Sequence, residues 1–118
     1  MATTVDFIEF VTEQIDPRFT RRYRKMFGEY MVYVNEKPIL LVCDNTVFVK
    51  IVPEIAEQTA DAEKGFPYEG AKLHYVLDME NKERANEIIS ILEKSAVLNM
   101  SDSVKVIIDM EMGEQKHS

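Results

Sequence analysis

Three apolar runs rich in β-branched and aromatic residues stand close together: "YMVYV" within 29–35, "ILLVC" within 38–43 and "TVFVKI" at 46–51. The joints between them, "NEKP" and "DN", have the chemistry of tight reversals. Three antiparallel strands in succession therefore constrain the fold more than any other feature of the chain. The middle run is apolar on both faces, with Ile39, Leu41 and Cys43 on one side and Leu40 and Val42 on the other, so each side needs a cover. Helix is the expected cover for one side. A partner subunit is a candidate for the other, and a homodimer is an expectation to test.

Helical patterns flank this centre. Thr3 and Asp6 have N-cap spacing, and Val5, Ile8, Val11 and Ile15, with Phe7 and Phe10 beside them, predict an amphipathic helix over 4–15. "DPRF" breaks it, because the residue before a proline is pushed out of the helical region. The basic segment 18–25 is then expected to be an arm or a short helical piece. Pro53, Ile55, Ala56 and Thr59, with Gly65 as a C-terminal cap, predict a peripheral helix over 53–63. "FPYEGAK" reads as a loop and "LHYVL" (73–77) as a fourth strand, with an extra short strand from the loop as a variant. Ala85, Ile88, Ile89, Leu92 and Ala96 keep the best helical period in the chain and predict a helix over 82–97. The expected fold is α+β: a two-layer α/β sandwich, order α-β-β-β-α-β(β)-α, with a mainly antiparallel sheet. Residues 1–99 form the domain. Residues 100–118 form a tail, in which "SVKVIIDMEM" reads either as a late strand or as an adaptable apolar surface rich in methionine, and "GEQKHS" as a disordered end.

Composition narrows the setting. The chain has 118 residues, 46% hydrophobic and 30% charged, which suits one globular domain and not a disordered segment. Cys43 has no intrachain disulfide partner, so a reducing, cytoplasmic compartment is expected. "MATTVDFIEF" lacks the features of a signal peptide, and no apolar run approaches the ~20 residues that span a bilayer. The formal charge is -7, yet Arg18, Arg21, Arg22, Arg24 and Lys25 fall within eight residues. The remaining nine cations face 21 acids, so an acidic body surrounds one basic patch. Such a body repels duplex nucleic acid everywhere except at that patch.

The stretch "RKMFGEYMVYVNEKPILLVCDNTVFVK" resembles the N-terminal domain of the TfoX/Sxy competence regulators. The resemblance rests on Met26-Phe27-Gly28, the strand bearing Tyr30, "LVCD" and the strand end Phe48 to Lys50, and it extends over roughly 18–97 with the later "PYEGAKLHYVL" and the final helix. It implies helix, three strands, helix, one or two strands and helix, and a regulatory domain without a catalytic motif. The chain departs from the family in having Met31 where members often carry glycine. It also has no room for the second domain of full-length regulators, which bears on any competence role.

The candidate chemistry is sparse. In the basic segment, Phe19, Tyr23 and Phe27 could stack on bases while the arginines hold phosphates, or the cations could be a solvated face with the aromatics in the core. Gly28 suits a positive φ or a bulge at a strand entry, and lacks the flanking glycines and lysine of a phosphate loop. Lys50 shares a strand face with Phe48 and is an anion-binding candidate, or a stem that packs while its ammonium reaches solvent. His74 has no partner that would make a metal site or a triad, since His117 is in the tail. Cys43 reads as a buried, inert thiol, and Glu54, Glu57, Asp61 and Glu63 as a solvated helix face.

The expectation is a non-enzymatic regulatory or adaptor domain that acts by protein–protein contact, linked to transcription or competence regulation, with no cofactor, metal or membrane. Its binding candidates are Arg18, Arg21, Arg22, Arg24, Lys25 and Lys50. The alternative is a nucleic-acid-binding module that uses 18–25. A small enzyme with an unrecognised site is a third reading.

Overall fold

The computed structural model describes residues 2–26 and 29–95. The expectations placed on Phe27, Gly28, residues 96–97 and the 100–118 tail lie outside the described residues. The order is α1 (Val5–Gln14), β1 (Arg21–Met26), β2 (Glu29–Val34), β3 (Lys37–Cys43), β4 (Thr46–Lys50), a 3-10 turn (Pro53–Ile55), β5 (Lys64–Gly65), β6 (His74–Val76) and α2 (Lys82–Ser95). The six strands form one antiparallel sheet in the order β1-β2-β3-β4-β6-β5, so the fold is α+β.

The two hairpins that order β2, β3 and β4 are two-residue reversals with both central residues at positive φ. Asn35 and Glu36 have φ of 50° and 64°, and Asp44 and Asn45 have 50° and 54°. This is the type I′ pattern, whose twist matches that of the flanking strands. Asn and Asp tolerate the left-handed region; Glu36 does not do so readily. Between β2 and β3 the register shifts: Val32 faces Leu40, but Tyr33 faces Pro38, so Ile39 is an extra residue. Both Ile39 and Leu40 are consequently buried in the core.

Register places Tyr30, Val32, Leu40, Val42, Val47 and Val49 on one face, and this is the face the helices cover. Ile8, Val11 and Ile15 of α1 and Ala85, Ile88, Ile89 and Leu92 of α2 complete the same cluster. Burying each such Leu, Ile or Val side chain contributes about 1.5–3 kcal/mol, so this layer dominates stability. Met31, Leu41, Phe48 and Val76 form a row across the other face. Polar contacts fix the helices. The Asn86 carboxamide accepts from the Asp16 backbone N–H (2.7 Å) and donates to the Gln14 carbonyl (2.8 Å), which ends α1 against α2. Asn81 Oδ1 accepts from Arg84 N–H at the start of α2.

Several expectations need correction. The basic segment is a strand, β1, and not an arm or helical piece. It is an edge strand exposed on both faces, so it carries no hydrophobic alternation by which to recognise it. The predicted helix over 53–63 is a single 3-10 turn followed by further turns. Ala56, Ala60 and Ala62 donate to carbonyls three residues back, and of residues 53–63 only Ile55 and Thr59 are buried, which leaves no stripe to hold a longer helix against the core. Gly65 accordingly belongs to β5 and is not a helix cap. The N-cap of α1 is Thr4, whose Oγ1 accepts from Phe7 N–H (3.2 Å). Thr3 is buried instead, and its hydroxyl donates to Glu29 Oε1 (2.6 Å). The predicted 73–77 strand is β6, three residues long, and the extra short strand comes from Lys64–Gly65, just ahead of the loop. No helix of the described residues is long and apolar enough to cross a membrane.

Candidate functional site

Four of the six candidate binding residues lie on β1. Antiparallel pairing with β2 alternates their direction: Arg21, Tyr23 and Lys25 are opposite Val34, Val32 and Tyr30 on the helix side, whereas Arg22 and Arg24 are opposite Tyr33 and Met31 on the other. All five residues from Arg21 to Lys25 are exposed, and among the described residues β1 pairs with β2 alone. Among the described residues its outer backbone groups form an open edge, with cations on both faces.

The cations divide into two sets. Arg18 pairs with Asp16 (3.6 Å), donates from Nη2 to Ser90 Oγ (3.2 Å) and lies over the Phe19 ring, 4.6 Å from its centroid. Arg21 Nη1 donates to the Ile15 carbonyl (2.9 Å), a group left unpaired at the end of α1. Arg22 donates from Nε to Glu36 Oε1 and Oε2 (2.9 and 3.1 Å) and stacks over Tyr33 at 4.1 Å. Arg24 and Lys25, in contrast, make no hydrogen bond or ion pair among the described residues. The charge without an internal partner thus sits at one end of the strand.

The aromatics are engaged. Phe19 packs partly buried against the core. Tyr23 meets Tyr30 edge-on at 5.3 Å, and the Tyr30 side chain is itself buried. Lys50 does not join this group. It stands at the end of β4, three strands from β1, about 14 Å away at a typical strand spacing. Burial first, and the like charge of Lys72 second, push its pKa below the ordinary lysine value. Met26 is half-buried at the end of β1, opposite Glu29.

The sequence reading missed the groups that hold the site in place. Asn35 Oδ1 accepts from Thr20 N–H (2.9 Å) and its Nδ2 donates to Glu93 Oε1 (2.9 Å), which ties the start of β1 to α2. Lys37 Nζ donates to the Glu93 carbonyl (2.8 Å). The Asn35 amide, foremost, holds the Glu93 carboxyl below its usual pKa; burial opposes this and Lys37 supports it. No spacing rule links Asn35 to Glu93, so tertiary structure alone reveals this anchor.

The other reactive groups have structural surroundings. The Cys43 thiol is buried, and burial, aided by the Glu29 charge, pushes its pKa up to about 11. His74 Nδ1 lies 2.7 Å from the Lys72 carbonyl, and the ring meets Phe48 edge-on at 6.4 Å.

The structure thus defines an α+β domain with an open sheet, whose candidate site is a basic edge strand. No family profile and no solved structure matches the chain. It is 41% identical over 78 residues to a protein of Spirochaeta aurantia described as an uncharacterized 12.7 kDa protein in the trpE 5′ region, a match that takes in 66% of this chain and 68% of that protein. The chain belongs to the family of that protein.

Proposed function

We propose that this is a non-enzymatic regulatory or adaptor domain that acts by protein–protein contact, and that β1 takes up an acidic, extended segment of its partner as an added strand. The observation that carries this reading is the edge strand β1, exposed from Arg21 to Lys25, with Arg24 and Lys25 left without internal partners among the described residues. Strand addition uses the backbone edge for affinity, while side chains select the sequence. The acidic remainder of the surface would repel such a segment and direct it to β1. The resemblance to TfoX/Sxy N-terminal domains supports a regulatory role, and the link to transcription or competence regulation rests on that resemblance alone.

The nucleic-acid reading is weaker because base stacking needs free aromatic faces. Phe19 and Tyr33 lie beneath arginines, and Tyr23 abuts Tyr30. Fluorescence-anisotropy titrations at low and moderate salt decide between the readings. The probes are an acidic alternating Glu/Val peptide and single- and double-stranded DNA and RNA. The double variant Arg24→Ala/Lys25→Ala removes charge without touching any described contact. Peptide binding that weakens with salt and in the variant is the expected result. Tighter binding of nucleic acid than of peptide, lost in the variant, would reverse the assignment.

A further inference from the structure

Among the described residues no strand lies on the outer side of β1, and the pairing pattern fixes which backbone groups stand there. Asn35 N–H donates to the Thr20 carbonyl (2.9 Å), which makes these two a hydrogen-bonded pair next to Arg21 and Val34. Bonded and non-bonded pairs alternate along an antiparallel ladder, so the amides of Arg22 and Arg24 face β2. Those of Arg21, Tyr23 and Lys25 face outward. On the helix side of this edge Tyr23 is 39% exposed, although Tyr30 beside it is buried.

The chain's own sequence holds a segment of matching chemistry. Beyond α2, Val104, Val106, Ile108, Met110 and Met112 alternate with Lys105, Ile107, Asp109 and Glu111. A period of two sustained over this length is the pattern of a strand with one apolar and one mainly charged face. When the apolar face covers Tyr23, Asp109 and Glu111 come to the opposite face, where Arg22 and Arg24 stand. Carboxylates two positions apart then meet guanidinium groups two positions apart, and Arg24 has no internal partner among the described residues.

The segment is also within reach. The last turn of α2 is held at the Arg21 end of β1: Asn35 joins Glu93 to Thr20, Lys37 Nζ donates to the Glu93 carbonyl (2.8 Å), and Arg18 donates to Ser90. The chain therefore leaves α2 at Ser95 beside that end. Residues 96–103 span up to about 26 Å when extended, against about 20 Å for the length of β1. Either end of β1 is accessible to Val104, and so short a tether holds the segment at an effective concentration of about millimolar.

We propose that residues 104–112 of this chain add to the outer side of β1 as a further strand, with the apolar face over Tyr23 and with Asp109 and Glu111 beside Arg24 and Arg22. This inference rests on the reading of β1 as an edge that accepts an acidic strand. It makes the chain's own segment a competitor of the partner, so the partner's apparent affinity is reduced by the fraction of molecules in which β1 is occupied.

Amide hydrogen exchange of the full chain, read by two-dimensional NMR, tests it on wild type and on Val106→Pro/Ile107→Pro. Adjacent prolines remove a ladder donor whichever of the two residues faces β1. The amides of Arg21, Tyr23 and Lys25 are expected to exchange at least about tenfold more slowly in wild type than in the variant, with the amides of β3 unchanged. The alternating Glu/Val peptide should bind the variant several-fold more tightly than wild type. Equal exchange in the two proteins would overturn the inference, and so would protection that grows with protein concentration, because a second copy would then supply the strand. Equal exchange together with peptide binding that is lost in Arg24→Ala/Lys25→Ala leaves the partner reading standing and removes this inference alone. Protection that the prolines abolish, with no peptide binding by either protein, supports the inference and removes the partner reading.

Discussion

Glu36 occupies the left-handed region at φ 64° and also holds Arg22 by a 2.9 Å ion pair. The two roles can be separated by replacing it with alanine and with glycine. Both variants lose the ion pair, whose partners are 49% and 66% exposed, so the shared loss is only about 0.2–1 kcal/mol. They differ in how the backbone accepts the turn. Alanine keeps a Cβ in a conformation that costs an L-residue about 1–2 kcal/mol, and glycine removes that cost. Glycine also gains freedom in the unfolded chain, which destabilises the fold by about 0.4–1 kcal/mol. The native relief is the larger of the two, so Glu36→Gly should be more stable than Glu36→Ala by about 0.5–1 kcal/mol. At an ordinary surface position the order is the reverse. Urea denaturation followed by circular dichroism gives the two midpoints, and equal slopes would show that the unfolded state is comparable. An alanine variant as stable as the glycine variant would refute the strained type I′ turn. Both variants free Arg22, so under the proposed function both should bind the acidic peptide more tightly than wild type by a similar factor.

Two further predictions follow from the ionisable groups. The folded pKa of Glu93 is lowered, so its contribution is present above the unfolded value, near 4.5, and is lost as pH falls through that value towards the folded one. Thermal melts across this window should show wild type losing its advantage over Glu93→Gln as acid is added, and a constant difference would contradict the Asn35 anchor. The Cys43 thiol, raised to about 11 and buried, should react with Ellman's reagent only as fast as the domain opens. A rate in native buffer close to that in denaturant would show that Cys43 is accessible.

The parts of the fold legible in the sequence are those whose apolar residues form a clear run or period. Ile8, Val11 and Ile15, and Ala85, Ile88, Ile89 and Leu92, announce their helices because burial repeats at the helical period. The β2–β3–β4 meander is legible from its apolar runs and from Asn35, Asp44 and Asn45 at the reversals. Elements at the margins are not. Among the described residues Arg21–Met26 is paired on one side only, and its cations look the same in a strand as in a loop. Residues 53–63 have acceptable helix composition but too little to bury. For the candidate site, the sequence shows five clustered cations; only tertiary contacts show that Arg18, Arg21 and Arg22 are engaged internally and Arg24 and Lys25 are not.

That division bears on how an exposed edge strand can be both protected and used. A long edge with unpaired backbone groups is a hazard, and cations along it are a common protection. Two copies of this domain that paired through β1 would bring like charges together on both faces of the added strand, so the edge resists its own kind. A homodimer of this chain would therefore have to use another surface, such as the sheet face bearing Met31, Leu41 and Val76. Under the proposed function, the same repulsion becomes selectivity towards an acidic strand. Arg21 and Arg22 are tied to Ile15 and Glu36, and engaging them would first break those contacts. Arg24 and Lys25 carry no such cost, so an incoming carboxylate gains most at the Met26 end of β1. Charge reversal at Arg24 and Lys25 should then weaken an acidic peptide more than reversal at Arg21 and Arg22, although each pair contributes the same formal charge.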